Sequence, residues 1–260
     1  MAAFLRALSS DKTGENELGG QMSFLEHLDE LRKRIIRSVI AIFVGFLIAC
    51  FYIQELFDFV MKPLQALLPK GDSLVYTDPT EAFVLYIKLA AIAGLLLASP
   101  AVMTQVWLFI APGLYAHEKK LAIPFVALSS ILFVSGAAFS HYVVFPLTWQ
   151  FFVSFATDTL SFMPRIEPTF SLYMKMLIAF GLVFQMPVLV LFLARMGVVT
   201  ARFLWRNIKY AILIIFILAA VLTPSADMFT QTAMAGPMIV LYLISIGLAW
   251  MFGKKKSVDD

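Results

Sequence analysis

Six stretches that are long enough, or nearly so, to cross a hydrocarbon layer constrain this chain more than anything else in it. They fall at about residues 35–53, 82–108, 121–145, 171–194, 208–222 and 233–252. In lipid no water is at hand to satisfy the backbone, so a run of this kind must close its own hydrogen bonds, and a helix does that within one segment. At about 1.5 Å per residue the first run reaches about 28 Å, close to the thickness of a bilayer core. The fifth, with 15 residues, reaches only about 22 Å. Composition agrees: 61% of the 260 residues are apolar and 14% charged, against about 45–50% and 25% in soluble domains. Mean hydropathy is +0.87. The expected class is an all-α membrane protein with six transmembrane helices.

Charge placement sets the expected orientation. Of the 20 Lys and Arg, five (Lys62, Lys70, Lys88, Arg165, Lys175) fall on one side or in the half-spans facing it. The other fifteen gather on the side of both termini. The positive-inside rule then predicts N-in, C-in. Residues 1–22 read as a disordered cytoplasmic tail without the apolar core of a signal peptide. Residues 23–253 read as the six-helix membrane domain and 254–260 as a second cytoplasmic tail. The outer segments 54–81 and 146–170 are long and proline-containing, and they predict a cap on the outer side. Residues 223–228 predict a tight turn, making the last two spans a short hairpin.

Two stretches sit where chemistry can happen. Residues 23–37, SFLEHLDELRKRIIR, place Phe24, Leu28, Leu31 and Ile35 on one helical face, with Ser23 and Glu26 spaced as a capping box. Glu30 and Arg34 form a favourable i,i+4 pair. This helix is expected to lie along the interface and then turn into the membrane. Residues 107–120, WLFIAPGLYAHEKK, join the second and third spans. Trp107 and Phe109 suit a headgroup layer, Ala-Pro-Gly breaks the helix, and Glu118 stands beside Lys119 and Lys120. Taken alone, Glu118 reads as a solvated loop charge and Glu30 as part of a positive-inside anchor.

Polar residues at membrane depth are the remaining signals. Gln185 lies two residues before Pro187, where a helix–helix hydrogen bond at a kink is the plain reading. Asp227 suits an N-cap for the sixth helix. Ser99 and Ser135 are weak company for Gln185, which argues against a secondary transporter or channel for a small solute. The three histidines lack ligand spacing, FGKKKS has no upstream glycine for a phosphate-binding loop, and no catalytic constellation stands out. Neither a metal, a cofactor nor an enzyme activity is expected. The basic residues are scattered at segment ends, so nucleic acid is not an expected partner. The single cysteine, Cys50, excludes an internal disulfide.

Five ordered runs carry a family resemblance: EHLDELRKR, VWLFIAPGLYAHEKK, VVFPL at 143–147, AFGLVFQMPV at 179–188 and LTPSADMFTQ at 222–231. Together they resemble TatC, the large subunit of the twin-arginine protein translocase. The resemblance implies six helices in a cupped, glove-like arrangement with both termini cytoplasmic, in a bacterial or archaeal cytoplasmic membrane. It implies a receptor for twin-arginine signal peptides of folded cargo. Such a receptor works with single-span TatA- and TatB-type partners and further TatC copies, driven by the proton-motive force.

By match, Glu118 and Glu30 are the implied arginine-binding carboxylates. Phe109 and Pro112 belong to the same first-loop site, with Arg32 among the cations expected to orient the carboxylates. Pro63 and Asp227 match family positions on the outer side. At Gln185 many relatives carry a glutamate thought to meet a single-span partner. The amide retains hydrogen bonding without a titratable proton. Guanidinium binds carboxylate through a two-bond fork, so the reading requires the first loop to face the N-terminal helix.

Overall fold

The computed structural model describes residues 24–66, 74–75, 78–110, 122–155, 163–223 and 228–253. The candidate residues Pro112, Glu118 and Asp227, and both tails, lie outside them. Among the described residues the chain is helical, apart from a single bridge between Val75 and Arg165. The elements are α1 (Phe24–Phe51), α2 (Ile53–Gln65), α3 (Pro79–Ile110), α4 (Ala122–Phe139), a π turn (Ser140–Val144) leading into α5 (Phe145–Val153), α6 (Ile166–Val183), α7 (Met186–Arg195), the short α8 (Ala201–Arg206), α9 (Ile208–Leu222) and α10 (Met228–Phe252). Five of the resulting rods are long and apolar enough to cross a membrane, and Ile208–Leu222 is a shorter apolar helix. Six apolar helices are thus present, and α9 has the bounds expected for the fifth.

Several boundaries differ from expectation, mostly at prolines. The amphipathic N-terminal segment does not turn before entering the membrane, because α1 runs unbroken for 28 residues, about 42 Å. Pro100 does not interrupt α3, which continues for 32 residues. The third span does not stop at Phe145. It passes through Pro146 to Val153, because a π turn over Ser140–Val144 sits where the proline ring would meet a carbonyl four residues back. Only Pro187 divides a span: α6 ends at Val183, Phe184–Gln185 form a turn, and α7 restarts at Met186. Pro63 lies inside α2, near its end.

Helix ends follow local chemistry. Asp78 caps α3, its Oδ1 accepting from the Thr80 amide at 2.8 Å and the Thr80 hydroxyl at 2.7 Å, and Pro79 takes the first helical position. Those two bonds, the backbone one first, hold the Asp78 carboxyl below its ordinary pKa. Gly197, at φ +76°, ends α7 in the left-handed region that costs glycine little.

The pairs α1–α3 and α4–α6 run antiparallel and approach through small residues. A lipid environment offers little hydrophobic drive between helices, so close backbone packing must hold them. A Cβ on Gly45 of α1 would lie 2.5 Å from the Gly94 carbonyl oxygen of α3. A Cβ on Gly136 of α4 would lie 2.9 Å from the Phe180 carbonyl carbon of α6. The large core, with Phe145, Phe180, Met176, Met234 and Met238 almost wholly buried, joins α3, α5, α6 and α10. α1 stands outside it with Val39, Ile40, Phe43 and Val44 exposed, as a lipid-facing helix docked along one side would be.

On the side opposite Phe24 the two outer segments meet. The Val75 amide donates to Pro164 O at 3.1 Å, and the Ile166 amide to Val75 O at 3.0 Å. Arg165 reaches Glu81 at 3.1 Å, and Lys88 reaches Glu167 at 3.3 Å.

Candidate functional site

The N-terminal helix and the end of α3 face each other, and the polar residues of both collect in that seam. In α1, His27, Glu30 and Arg34 are spaced i, i+3, i+7 and so share a face. In α3, Gln105 and Phe109 are spaced i, i+4 and do the same. Their rings and polar ends meet across the seam. His27 stacks on Phe109 with centroids 4.4 Å apart and planes 19° from parallel. Arg34 Nη2 donates to Glu30 Oε1 at 2.9 Å, and its Nη1 donates to Gln105 Oε1 at 3.2 Å.

This arrangement leaves Glu30 half engaged. Its side chain is 18% exposed, and that of Arg34 is 19% exposed. Oε1 takes the Arg34 bond, while Oε2 is shielded from water and has no hydrogen-bond partner among the described residues. A carboxylate has about four lone-pair sites, so the Arg34 bond leaves part of the acceptor capacity of Glu30 unused. Gln105 anchors the other side of the Arg34 fork. Beside the seam, Glu26, Asp29, Glu30, Lys33, Arg34 and Arg37 line a shallow polar recess of about 410 Å³.

Sequence-derived candidates distribute unevenly. Glu30 and Phe109 are brought into one seam. Arg32 is exposed and, two residues from Glu30 on a helix, points elsewhere. Its charge acts on Asp29, and the guanidinium that meets Glu30 is that of Arg34. Pro63 is half-buried in α2 on the opposite side of the bundle. His27 and Gln105 did not stand out in the sequence. The signal that finds them is their spacing from Glu30 and Phe109 along two facing helices.

Gln185 occupies the turn between α6 and α7, where its Nε2 donates to Ser129 O at 2.9 Å. Ser129 is fully buried in α4, and its hydroxyl accepts from Trp107 Nε1 of α3 at 2.7 Å. One serine thus ties three spans together. Trp107 stacks on Phe125 at 4.9 Å and meets Phe192 edge-on at 5.2 Å. The plain reading of Gln185, a helix–helix hydrogen bond at a proline kink, is the geometry observed.

A packed set of membrane-length helices, with a polar seam at one end and without a packed soluble domain among the described residues, defines a polytopic helical membrane protein. Comparison with known proteins makes the class specific. Residues 26–237 match the family described as Sec-independent protein translocase protein (TatC). The TatC of Desulforapulum autotrophicum is 45% identical over 237 residues, covering 91% of this chain and 87% of that protein. That of Koribacter versatilis is 43% identical, covering 90% and 87%. A crystal structure of the twin-arginine translocase receptor TatC superposes with a TM-score of 0.76 at 36% identity, covering 86% of this chain and 98% of that one. A second, in the detergent DDM, gives 0.78 at 35%, covering 88% and 100%. The chain belongs to the TatC family. It is a core subunit of the twin-arginine protein translocase, a transport component rather than an enzyme.

Proposed function

We propose that the seam between α1 and α3 is the place where this subunit reads the consecutive arginines of an export signal. The observation that carries this is the buried Oε2 of Glu30, which has no hydrogen-bond partner among the described residues. It stands beside the stacked His27–Phe109 pair, at the base of the segment that holds Pro112 and Glu118. Leaving a buried acceptor unmade costs about 1–3 kcal/mol, and a guanidinium from a ligand relieves that cost. Lysine carries the charge but not the planar two-bond fork, so arginine is the better match.

In this reading Glu30 takes one arginine and Glu118 the other. Arg34, pinned by Gln105, fixes the Glu30 rotamer in advance, and Arg32 lends charge to the outer face of the helix. Charge-assisted bonds of about 1.5–3 kcal/mol each give specificity rather than tight binding. The apolar part of the signal supplies the rest of the affinity along the helices. Gln185 serves as an internal tie through Ser129, while Pro63 and Asp227 shape the outer side. Residues 23–253 form the membrane domain between the tails 1–22 and 254–260.

The same reading places both termini and the seam on the cytoplasmic side of a bacterial or archaeal cytoplasmic membrane. Support comes from the gathering of Lys and Arg at that end. Single-span TatA- and TatB-type proteins and further copies of the subunit are the expected partners, with transport of folded proteins driven by the proton-motive force. The test is photo-crosslinking of a twin-arginine peptide to the membrane-embedded chain. Glu118→Ala should abolish the crosslink while membrane insertion stays normal. An undiminished crosslink would remove Glu118 from the site.

A further inference from the structure

Outside the seam, Arg195 lacks a carboxylate partner among the described residues. Arg195 closes α7 at the membrane surface that also carries Glu30. Its guanidinium carbon sits 5.7 Å from the centre of the Phe252 ring, at the end of α10. No ion pair engages it among the described residues, and its Nε is shielded from water without a hydrogen-bond partner. A cation at a helix C-terminus is favourable by itself, but that accounts for the charge and not for a buried donor left unmade.

Arg195 and Phe252 form one side of a slot of about 170 Å³, whose other walls are Pro124, Phe125, Leu128 and Leu191. The slot is therefore apolar except for one fixed guanidinium. The walls come from the start of α4, the end of α7 and the end of α10, three segments that packing holds together. Gly253 lies so close to the preceding turn that a Cβ there would also meet Ala194 Cβ, at 3.6 Å. Phe125 and Phe192 pack edge-on behind the slot at 6.1 Å.

We propose that this slot is a binding site for an anionic phospholipid. The phosphate accepts from the Arg195 guanidinium, and part of an acyl chain lies against Phe125, Leu128 and Leu191. Charge and shape argue together. A single cation at the mouth of an apolar slot between membrane helices matches an amphipathic anion at the interface. A soluble anion would leave the apolar walls unused. A zwitterionic lipid brings an ammonium that competes with Arg195 for the same phosphate. Arginine, rather than lysine, also fits a phosphate oxygen pair through its fork.

The test uses the full chain, purified in mild detergent and titrated with phosphatidylglycerol, phosphatidylethanolamine or inorganic phosphate. Native mass spectrometry counts retained lipid, and thermal melting reads stabilisation. Phosphatidylglycerol should be retained and should stabilise more than either other ligand. Arg195→Gln should weaken its retention about fivefold or more, while Arg202→Gln, an exposed cation on the same surface, should leave it unchanged. Leu128→Trp fills the slot while leaving Arg195 in the sequence, and should lower retention even if Arg195→Gln folds poorly. The proposal is overturned if Arg195→Gln retains the lipid as wild type does, if inorganic phosphate or phosphatidylethanolamine stabilises equally, or if Leu128→Trp has no effect.

Discussion

Gly94→Ala is the perturbation that tests how the fold builds the site. A methyl group on Gly94 of α3 would point at the backbone of α1, 2.7 Å from Phe46 Cα and 2.9 Å from the Gly45 carbonyl carbon. Backbone atoms cannot rotate aside as a side chain can, so the helices must separate. Restoring ordinary contact, 3.4 Å, at the carbonyl carbon takes about 0.5 Å, and the closer Phe46 contact takes about 0.7 Å. A uniform separation of that size would stretch the Arg34–Gln105 bond from 3.2 Å past the limit of a useful hydrogen bond, about 3.5 Å. In energy, alanine gains about 1 kcal/mol of helix propensity over glycine. Overpacking costs about 1–3 kcal/mol, and a backbone-to-backbone clash belongs at the upper end. The net expectation is a loss of about 1–2 kcal/mol together with weakened binding of a twin-arginine peptide, although no charged group has changed. Gly247→Ala is the control, since a Cβ there meets nothing within 4 Å. Thermal melting in detergent and peptide-binding titration read the two effects. If Gly94→Ala matches Gly247→Ala in both, the close approach does not set the seam.

Three further outcomes follow from the polar contacts. Gln185→Ala removes the tie to Ser129 O and should destabilise by about 1 kcal/mol in melting experiments. Gln185→Glu should preserve export in a complementation assay, and total loss of export would show that this turn excludes a charge. At Asp78 the Thr80 bonds lower the folded-state pKa, so the cap's contribution is complete above the unfolded value, about 3.9. It is lost as pH falls through the folded value. Hydrogen-exchange protection at the start of α3, corrected for the intrinsic pH dependence of amide exchange, should therefore fall in acid, and Asp78→Asn should blunt that response. An equal acid response in both would assign it to another group.

How much was legible in the sequence depended on the kind of signal. Apolar length found all six helices and gave Ile208–Leu222 its bounds, because burial in lipid leaves the backbone few alternatives. Proline was the weak signal. Pro100 and Pro237 sit inside continuous helices, Pro146 is absorbed by a π turn, and Pro187 divides a span. The residue is the same each time, and neighbouring helices and local turns decide how its missing N–H is accommodated. The seam was half legible. Glu30 and Phe109 carried the family pattern, and the Glu30–Arg34 pair followed from spacing. The stacking of His27 on Phe109 and the anchoring of Arg34 by Gln105 depend on the register between α1 and α3, which the Gly45–Gly94 approach fixes.

The central claim is that paired carboxylates of this subunit read paired arginines. Its most direct test is the affinity of the purified chain, in lipid nanodiscs, for a signal peptide with consecutive arginines and for the same peptide with lysines in their place. The wild type should clearly prefer the arginine peptide, and Glu30→Gln should lose that preference. Equal binding of the two peptides, or a Glu30→Gln variant that still discriminates between them, would contradict it.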